Sequence, residues 1–296
     1  MNNQLKGSIF IVLAAASYGF YGILSRMIGQ SFGEFSQSWT RNIIILIMIG
    51  LFLLFTKTWK NIEYKDLKWM ILWPLSDVVS VVLLYITINN LSIGTTYFLL
   101  YASMIIGGFI FGKILYKESL TIVKIISIIL STIGLILIFS AEFSTDKIQF
   151  IFFGLLAGVS TALWNNLSKK VSDRYPNTQL VFIDASVALC ATLIGSLMVK
   201  DSIPDLTNAV WVWQIVYALT QISAVAFVVL GFRYLEAQIA SIILPVEVIF
   251  AVIFGFLFFQ EIPLPNVFLG GVFIASAAIL PHIHMIHDKI SLLKKI

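Results

Sequence analysis

Apolar positions in this chain do not alternate with polar ones at the period of a strand. They gather instead in runs of about 20 residues bounded by charges, Gly, Pro or Asn, which is the length an α-helix needs to cross a hydrocarbon core of about 30 Å. Ten such runs are present: Gly7 to Met27, Ser36 to Thr56, Leu67 to Ile88, Ser92 to Leu115, Leu120 to Ser140, Ile148 to Leu167, Leu180 to Val199, Val210 to Gly231, Ala237 to Phe259 and Val267 to Ile283. The pattern predicts an all-α polytopic membrane protein of ten transmembrane helices. The first run is too long for a cleaved leader and passes almost directly into the second, so it is read as a mature helix. No polar stretch is long enough for a soluble domain, which confines binding or chemistry to the membrane and its surfaces.

Composition agrees with this reading. Of 296 residues 59% are hydrophobic and 11% charged, with a mean hydropathy of +0.97, whereas a soluble domain carries about 25% charged residues. The net charge of +4 is too small and too scattered for a nucleic-acid footprint. It is better explained by topology, because Lys and Arg concentrate in cytoplasmic loops. With the N-terminus inside, Lys6, Lys57, Lys60, Lys65, Lys68, Lys113, Lys117, Lys124, Lys169, Lys170, Arg174, Arg233, Lys289, Lys294 and Lys295 fall on the cytoplasmic side. Only Arg26, Arg41, Lys147 and Lys200 fall outside. Both termini are therefore expected in the cytoplasm of a bacterial inner membrane. Cys190 lies in an apolar run and is read as a small buried hydrophobe.

The chain also repeats itself. A shift of 143 residues places Leu13, Ala14, Ser17, Leu24 and Ser25 on Leu156, Ala157, Ser160, Leu167 and Ser168, and sets Tyr21 on Trp164. The same shift brings Phe111 and Gly112 onto Phe254 and Gly255, Ile136 and Leu137 onto Ile279 and Leu280, Arg26 onto Lys169 and Glu118 onto Glu261. The last two pairs weigh most, since charges are scarce here. Residues 1–144 and 145–296 thus read as two five-helix repeats. Five spans is an odd number, so the second copy enters the membrane from the opposite side. Inverted repeats of this kind are characteristic of secondary transporters, in which the substrate site lies between the halves near the midplane.

Phe111-Gly112 ending in Lys117-Glu118, its partner Phe254-Gly255 ending in Gln260-Glu261, and Trp39-Thr40-Arg41 opening the second helix resemble the drug/metabolite transporter superfamily, EamA type. The resemblance covers essentially the whole chain. It implies a compact two-lobed bundle with a central cavity lined by spans 1, 3 and 4 and their counterparts 6, 8 and 9, and it implies export more than import. One departure is that the counterpart of Arg41 is Asp184, where most relatives carry something less acidic.

An ionisable group inside a span is costly and marks a functional position by default. Asp77 lies three residues after Pro74 in span 3, on one face with Trp73, Ser80 and Leu84; Glu247 follows Pro245 in span 9, on one face with Ile243 and Ala251. Arg41 and Asp184 sit near the entrances of spans 2 and 7. The functional reading gives Asp77, Glu247 and Asp184 a part in binding a cationic group or carrying a coupling proton, and gives Arg41 a structural or gating part. The bland reading for all four is a structural salt bridge or contact with the interface. Tyr18, Tyr21, Tyr97, Tyr101, Trp164, Asn165 and Gln221 complete the expected substrate contacts, with packing as the alternative for each aromatic ring. Trp39, Trp59, Trp69, Trp211 and Trp213 suit an interfacial belt. Gly108-x-x-x-Gly112 and Gly154-x-x-x-Gly158 suit close helix packing.

No catalytic motif, phosphate loop or metal spacing is recognisable, and His282, His284 and His287 read as a solvated helix end rather than a metal site. No cofactor is expected, and the partners are a small-molecule substrate and the lipid bilayer. The expected function is a secondary transporter that moves an amino-acid-like or amphipathic metabolite, with a passive channel or an integral membrane enzyme as alternatives. Tag-accessibility mapping in intact cells is expected to find both chain ends on the cytoplasmic side; ends on opposite faces would overturn the count of spans.

Overall fold

The computed structural model describes residues 3–28, 31–139, 148–207 and 209–293, with the side chains of Glu34 and 282–293 excepted. His282, His284 and His287 therefore lie outside the described side chains. The elements are α1 (Asn3–Ile28), α2 (Glu34–Thr56), α3 (Tyr64–Ile88), α4 (Ile93–Tyr116), α5 (Ile122–Phe139), α6 (Ile148–Val171), α7 (Asn177–Val199), α8 (Val210–Tyr234), α9 (Ala237–Ile243), α10 (Val246–Phe259) and α11 (Pro265–Leu293). The described residues contain no strand. Among the described residues nine segments are long and apolar enough to span a bilayer, α9 and α10 counting together as one, and the shorter apolar helix Pro265–Pro281 follows them.

The ninth run is not a single continuous helix. Pro245 brings no backbone donor, so the ladder stops at Leu244 and restarts at Val246, bridged by hydrogen bonds from Glu247 N–H to Leu244 O (3.0 Å) and from Val248 N–H to Pro245 O (3.0 Å). Its counterpart in the first half, Ala102, lies within the unbroken α4. Pro74, by contrast, is accommodated inside α3.

The 143-residue repeat is visible in backbone geometry. Four described non-glycine residues adopt a left-handed conformation: Lys57 and Lys200 end α2 and α7, and Lys117 and Gln260 end α4 and α10. Each pair is separated by the repeat shift. Behind Lys117 the N–H groups of Lys117 and Glu118 return to Gly112 O, and behind Gln260 those of Gln260 and Glu261 return to Gly255 O, so both helices finish in the same tight turn.

The packing shows that the copies are inverted. Asn266 of α11 bonds Leu137 O of α5, while Gly134 lies against Gly270 and Ile274, so the two chains run antiparallel. Likewise α2 and α7 run antiparallel, with Phe35 against Gly195 and Gly50 against Phe182. The first helix of each half crosses to the other half: α1 packs on α8 and α10, and its counterpart α6 packs on α3 and α4. Small residues permit the close approach. Gly231 faces Ile11 and Gly7 of α1, Gly19 meets the α10 backbone at Glu247, and Gly158 lies against Leu100 O and Ser103. Each lobe of the bundle is therefore built from helices of both repeats.

Polar ties hold the loops at the face that carries the 57–63 segment. Asp66, 1% exposed, accepts from Arg174 and from the Tyr175 hydroxyl (2.8 Å), while Gln179 and the Lys60 backbone exchange hydrogen bonds of 2.8 and 2.9 Å. Burial pushes the Tyr175 phenol up, keeping the proton it donates. Glu63 nearby is held below the ordinary carboxylate range by its hydrogen bond from Lys65. On the opposite face Asp201 accepts from the backbone N–H groups of Phe35 (2.7 Å) and Ser36 (2.8 Å) at the start of α2.

A Cβ at position 158 would overlap Leu100 O and Ser103 Oγ, whereas one at position 22 meets nothing within 4 Å. Gly158→Val is therefore expected to destabilise the bundle by about 1–3 kcal/mol, and Gly22→Ala to leave stability unchanged or slightly raised. Thermal unfolding in detergent measures both, and equal melting points for the two variants would contradict the close α4–α6 approach.

Candidate functional site

Where α1, α2, α3, α4, α6, α7, α8 and α10 converge, the apolar core gives way to a polar cluster. One group is phenolic. Tyr21 lies edge-on to Tyr18 (centroids 5.2 Å apart) and to Tyr217 (4.7 Å), while Tyr97 and Tyr101 stack at 6.1 Å as residues one helical turn apart on α4. The Tyr101 hydroxyl hydrogen-bonds the Glu247 carboxyl, which the first turn of α10 presents just after the break at Pro245. Arg41 is buried, its guanidinium over the Tyr217 ring at 4.0 Å and its Nε–H bonded to Gln221 Oε1. Gln221 in turn reaches Asn42 Oδ1 at 3.5 Å.

The second group is indolic and acidic. Trp73 and Trp164 stack with centroids 6.4 Å apart and planes 19° apart, and Trp164 Nε1–H donates to Asp184 Oδ1 at 2.9 Å. Asp77, one helical turn along α3 from Trp73, lies within electrostatic range of both Asp184 and Arg41. Tyr18 lies within electrostatic range of Asp77, Asp184 and Glu247, which relates the two groups. The charged members of the cluster are three carboxyl groups and one guanidinium.

Several polar atoms here make no hydrogen bond among the described residues: Tyr21 Oη, Asn42 Nδ2, Trp73 Nε1 and Asn165 Oδ1. Such groups cost about 1–3 kcal/mol each when buried without a partner, so the site is built to be completed by water or solute. Tyr18, Tyr21, Asp77, Tyr97, Gln221 and Glu247 are only partly buried although they lie mid-helix and converge on one another. Two grooves on the periphery are mainly apolar. One, of about 390 Å³, is bounded by Leu13, Phe20, Leu219 and Phe254; the other, of about 510 Å³, lies between α10 and α11. Neither contains a charged side chain.

Most residues singled out in the sequence meet at this cluster: Tyr18, Tyr21, Arg41, Asp77, Tyr97, Tyr101, Trp164, Asp184, Gln221 and Glu247. Arg41 and Asp184, expected near helix entrances, are buried and lie within electrostatic range of Asp77. Asn165 is set apart from them, its Nδ2 against Met104 Sδ (3.9 Å) at the α4–α6 contact. Sequence reading left Asn42 unmentioned and put Tyr217 and Trp73 outside the binding set. The signal for Tyr217 was its place one helical turn from Gln221; Asn42, adjacent to Arg41 in a run of apolar residues, had none beyond its polarity. Among the described residues, no group of three or more His, Cys, Asp and Glu is placed to hold a metal ion.

Comparison with known proteins adds the family. No curated protein matches the chain. Of solved structures, 28 chains match; one, described only as a protein, is 10% identical, covers 94% of this chain and 97% of its own, and superposes with a TM-score of 0.79. At that identity the likeness concerns the fold alone. A family model matches twice, over residues 5–140 and 149–281, together most of the sequence. Two inverted copies, a polar centre shared between them and this double match lead to one conclusion: the chain belongs to the EamA-like transporter family, and with it to the drug/metabolite transporter superfamily.

Proposed function

We propose that this protein is a secondary transporter that moves a small amine-bearing organic metabolite, amino-acid-like or amphipathic, by alternating access, with the central polar cluster as its substrate site. The observation that carries the reading is the charge balance of that cluster. Asp77, Asp184 and Glu247 stand against a single cation, Arg41, which Gln221 and Tyr217 already engage. An ammonium group lowers the cost of the excess carboxylates, and the faces of Tyr18, Tyr21 and Tyr101 receive cations or the apolar part of the solute. The donor Trp73 Nε1 and the hydroxyl Tyr21 Oη, both without a partner among the described residues, are available to a solute or its water.

Asp77 and Glu247 are the groups assigned to carrying a coupling proton, with Asp184 steadied by Trp164. Arg41 balances Asp77 from the opposite wall and fixes the site's polarity. The face carrying Lys57, Lys60, Lys65 and Arg174 is assigned to the cytoplasm, which places both chain ends there, and the direction assigned is export. A passive channel would conduct through the same cluster without coupling and would show neither saturation nor counter-flow.

The test begins with a thermal-shift screen of purified protein against amines, amino acids and carboxylates, since a ligand at about 100 times its Kd adds about 2.7 kcal/mol of stability. Hits then enter proteoliposome counter-flow with and without a pH gradient. Trp164→Ala is expected to weaken the ligand response about tenfold or more, and Asp77→Asn to change the pH dependence of flux while the protein stays folded. Wild-type affinity and pH profile in both variants would remove the site assignment.

A further inference from the structure

The two halves exchange ion pairs. Arg26 of the first half pairs with Glu261 of the second, and Lys169 of the second pairs with Glu118 of the first (3.3 Å); the residues correspond exactly one repeat apart. The rings beneath the cations correspond too: Arg26 lies over Phe259 at 4.8 Å and Lys169 over Tyr116 at 4.8 Å. Both carboxylates leave the same kind of left-handed turn, so the chain delivers them to opposite ends of the bundle in the same way. What they do there differs.

Glu118 accepts from the backbone N–H groups of Ala237 (2.7 Å) and Gln238 (2.9 Å), joining the end of α4 to the start of α9. Lys169 adds a bond to Leu235 O (2.8 Å), and the buried Lys124 bonds Glu236 (2.6 Å) and Gln238 (2.7 Å). A Cβ on Gly112 would press into both Gln238 and Glu118, and the Glu118 side chain is 7% exposed. At the other end Glu261 bonds Arg26, and among the described residues a Cβ on Gly255 meets only Glu261 itself within 4 Å. Arg26 and Glu261 are 57% and 52% exposed. The backbone groups that correspond to Ala237 and Gln238 are those of Gly94 and Thr95 at the start of α4, and Thr95 N–H is held there by Ser92 Oγ at 3.2 Å.

We propose that Glu118 and Glu261 are equivalent gating residues that close opposite ends of the central site in turn: Glu118 by holding Ala237 and Gln238, as now, and Glu261 by taking the N–H groups of Gly94 and Thr95 when the first contact opens. Arg26 and Lys169 stay with their carboxylates throughout and keep each one aimed at the opposing helix. The proposal rests on the alternating-access reading above, and it makes Glu118 and Glu261 positioning residues that act on the site without touching the solute.

The experiment is hydrogen–deuterium exchange on the purified full chain without added solute, followed at the backbone of residues 237–241 and 94–97. Glu118→Gln is expected to speed exchange at 237–241 about tenfold and to slow it at 94–97, on the far side of the bundle. Glu261→Gln is expected to act with the opposite sign, slowing exchange at 237–241, and Glu118→Asp to restore part of the wild-type pattern. Because Arg26 and Glu261 are exposed, Glu261→Gln tests the proposal even if Glu118→Gln fails to fold. Effects confined to the mutated end, or of one sign in both variants, would overturn it. Opposed effects in a protein that binds no solute at Trp164 and Asp77 would leave the gate standing and remove the site assignment instead.

Discussion

The crossing of each half's first helix onto the other half is the constraint from which the remaining architecture follows. Lipid tails offer helices little hydrophobic reason to associate, so contact has to come from close van der Waals approach. Gly19 against the α10 backbone at Glu247, and Gly158 against the α4 backbone at Leu100, supply it at two equivalent crossings. Because α1 is committed to α8 and α10, and α6 to α3 and α4, neither repeat can complete a lobe by itself. The interface between lobes is then the place where side chains from both repeats must meet, and the polar cluster occupies it.

That location settles how charged groups survive at the centre. Arg41 is held by Gln221 and the Tyr217 ring, Asp184 by the Trp164 indole, and Glu247 by the Tyr101 hydroxyl, each partner arriving from a different helix. Asp66 meets the same problem at a loop and solves it fully, with Arg174 and Tyr175 as direct partners; removing one member of such a buried pair costs about 3–5 kcal/mol. The contrast separates a charge whose partners are complete from a cluster whose partners are not. Around Asp66 each acidic oxygen has its own donor, whereas the central cluster keeps Tyr21 Oη, Trp73 Nε1 and Asn42 Nδ2 without protein partners.

Much of the fold was legible in the sequence because a bilayer imposes a single length on every span and because inversion follows arithmetically from an odd number of spans. The interruption at Pro245 was not anticipated: hydropathy is blind to a lost backbone donor, and Ala237 to Phe259 stays apolar across it. For the site, charge scarcity singled out Asp77, Asp184, Glu247 and Arg41 before any coordinates. Their mutual approach was not readable, since it depends on how α2, α3 and α7 rotate against one another, a property of packing among spans that are apolar on every side. Nor could hydropathy tell that Asn165, an amide deep in a span, sets its Nδ2 against Met104 Sδ at the α4–α6 contact.

The two ends of the bundle are alike in local structure and unlike in what they touch. Lys117 and Gln260 adopt nearly the same backbone, with φ of 57° and 56°, and the cations and rings around Glu118 and Glu261 correspond. A difference between the ends therefore cannot originate in the turns; it must lie in where α9 and α4 stand relative to them. Here the halves do differ covalently, because Pro245 divides the ninth span and nothing divides α4. The division places α9, with Ala237 and Gln238 on Glu118, on one side of a broken hydrogen-bond ladder and Glu247, bonded to Tyr101 in the central cluster, on the other. A helix interrupted between its contact with Glu118 and its contact with the central cluster lets one segment reorient without dragging the other through a rigid ladder.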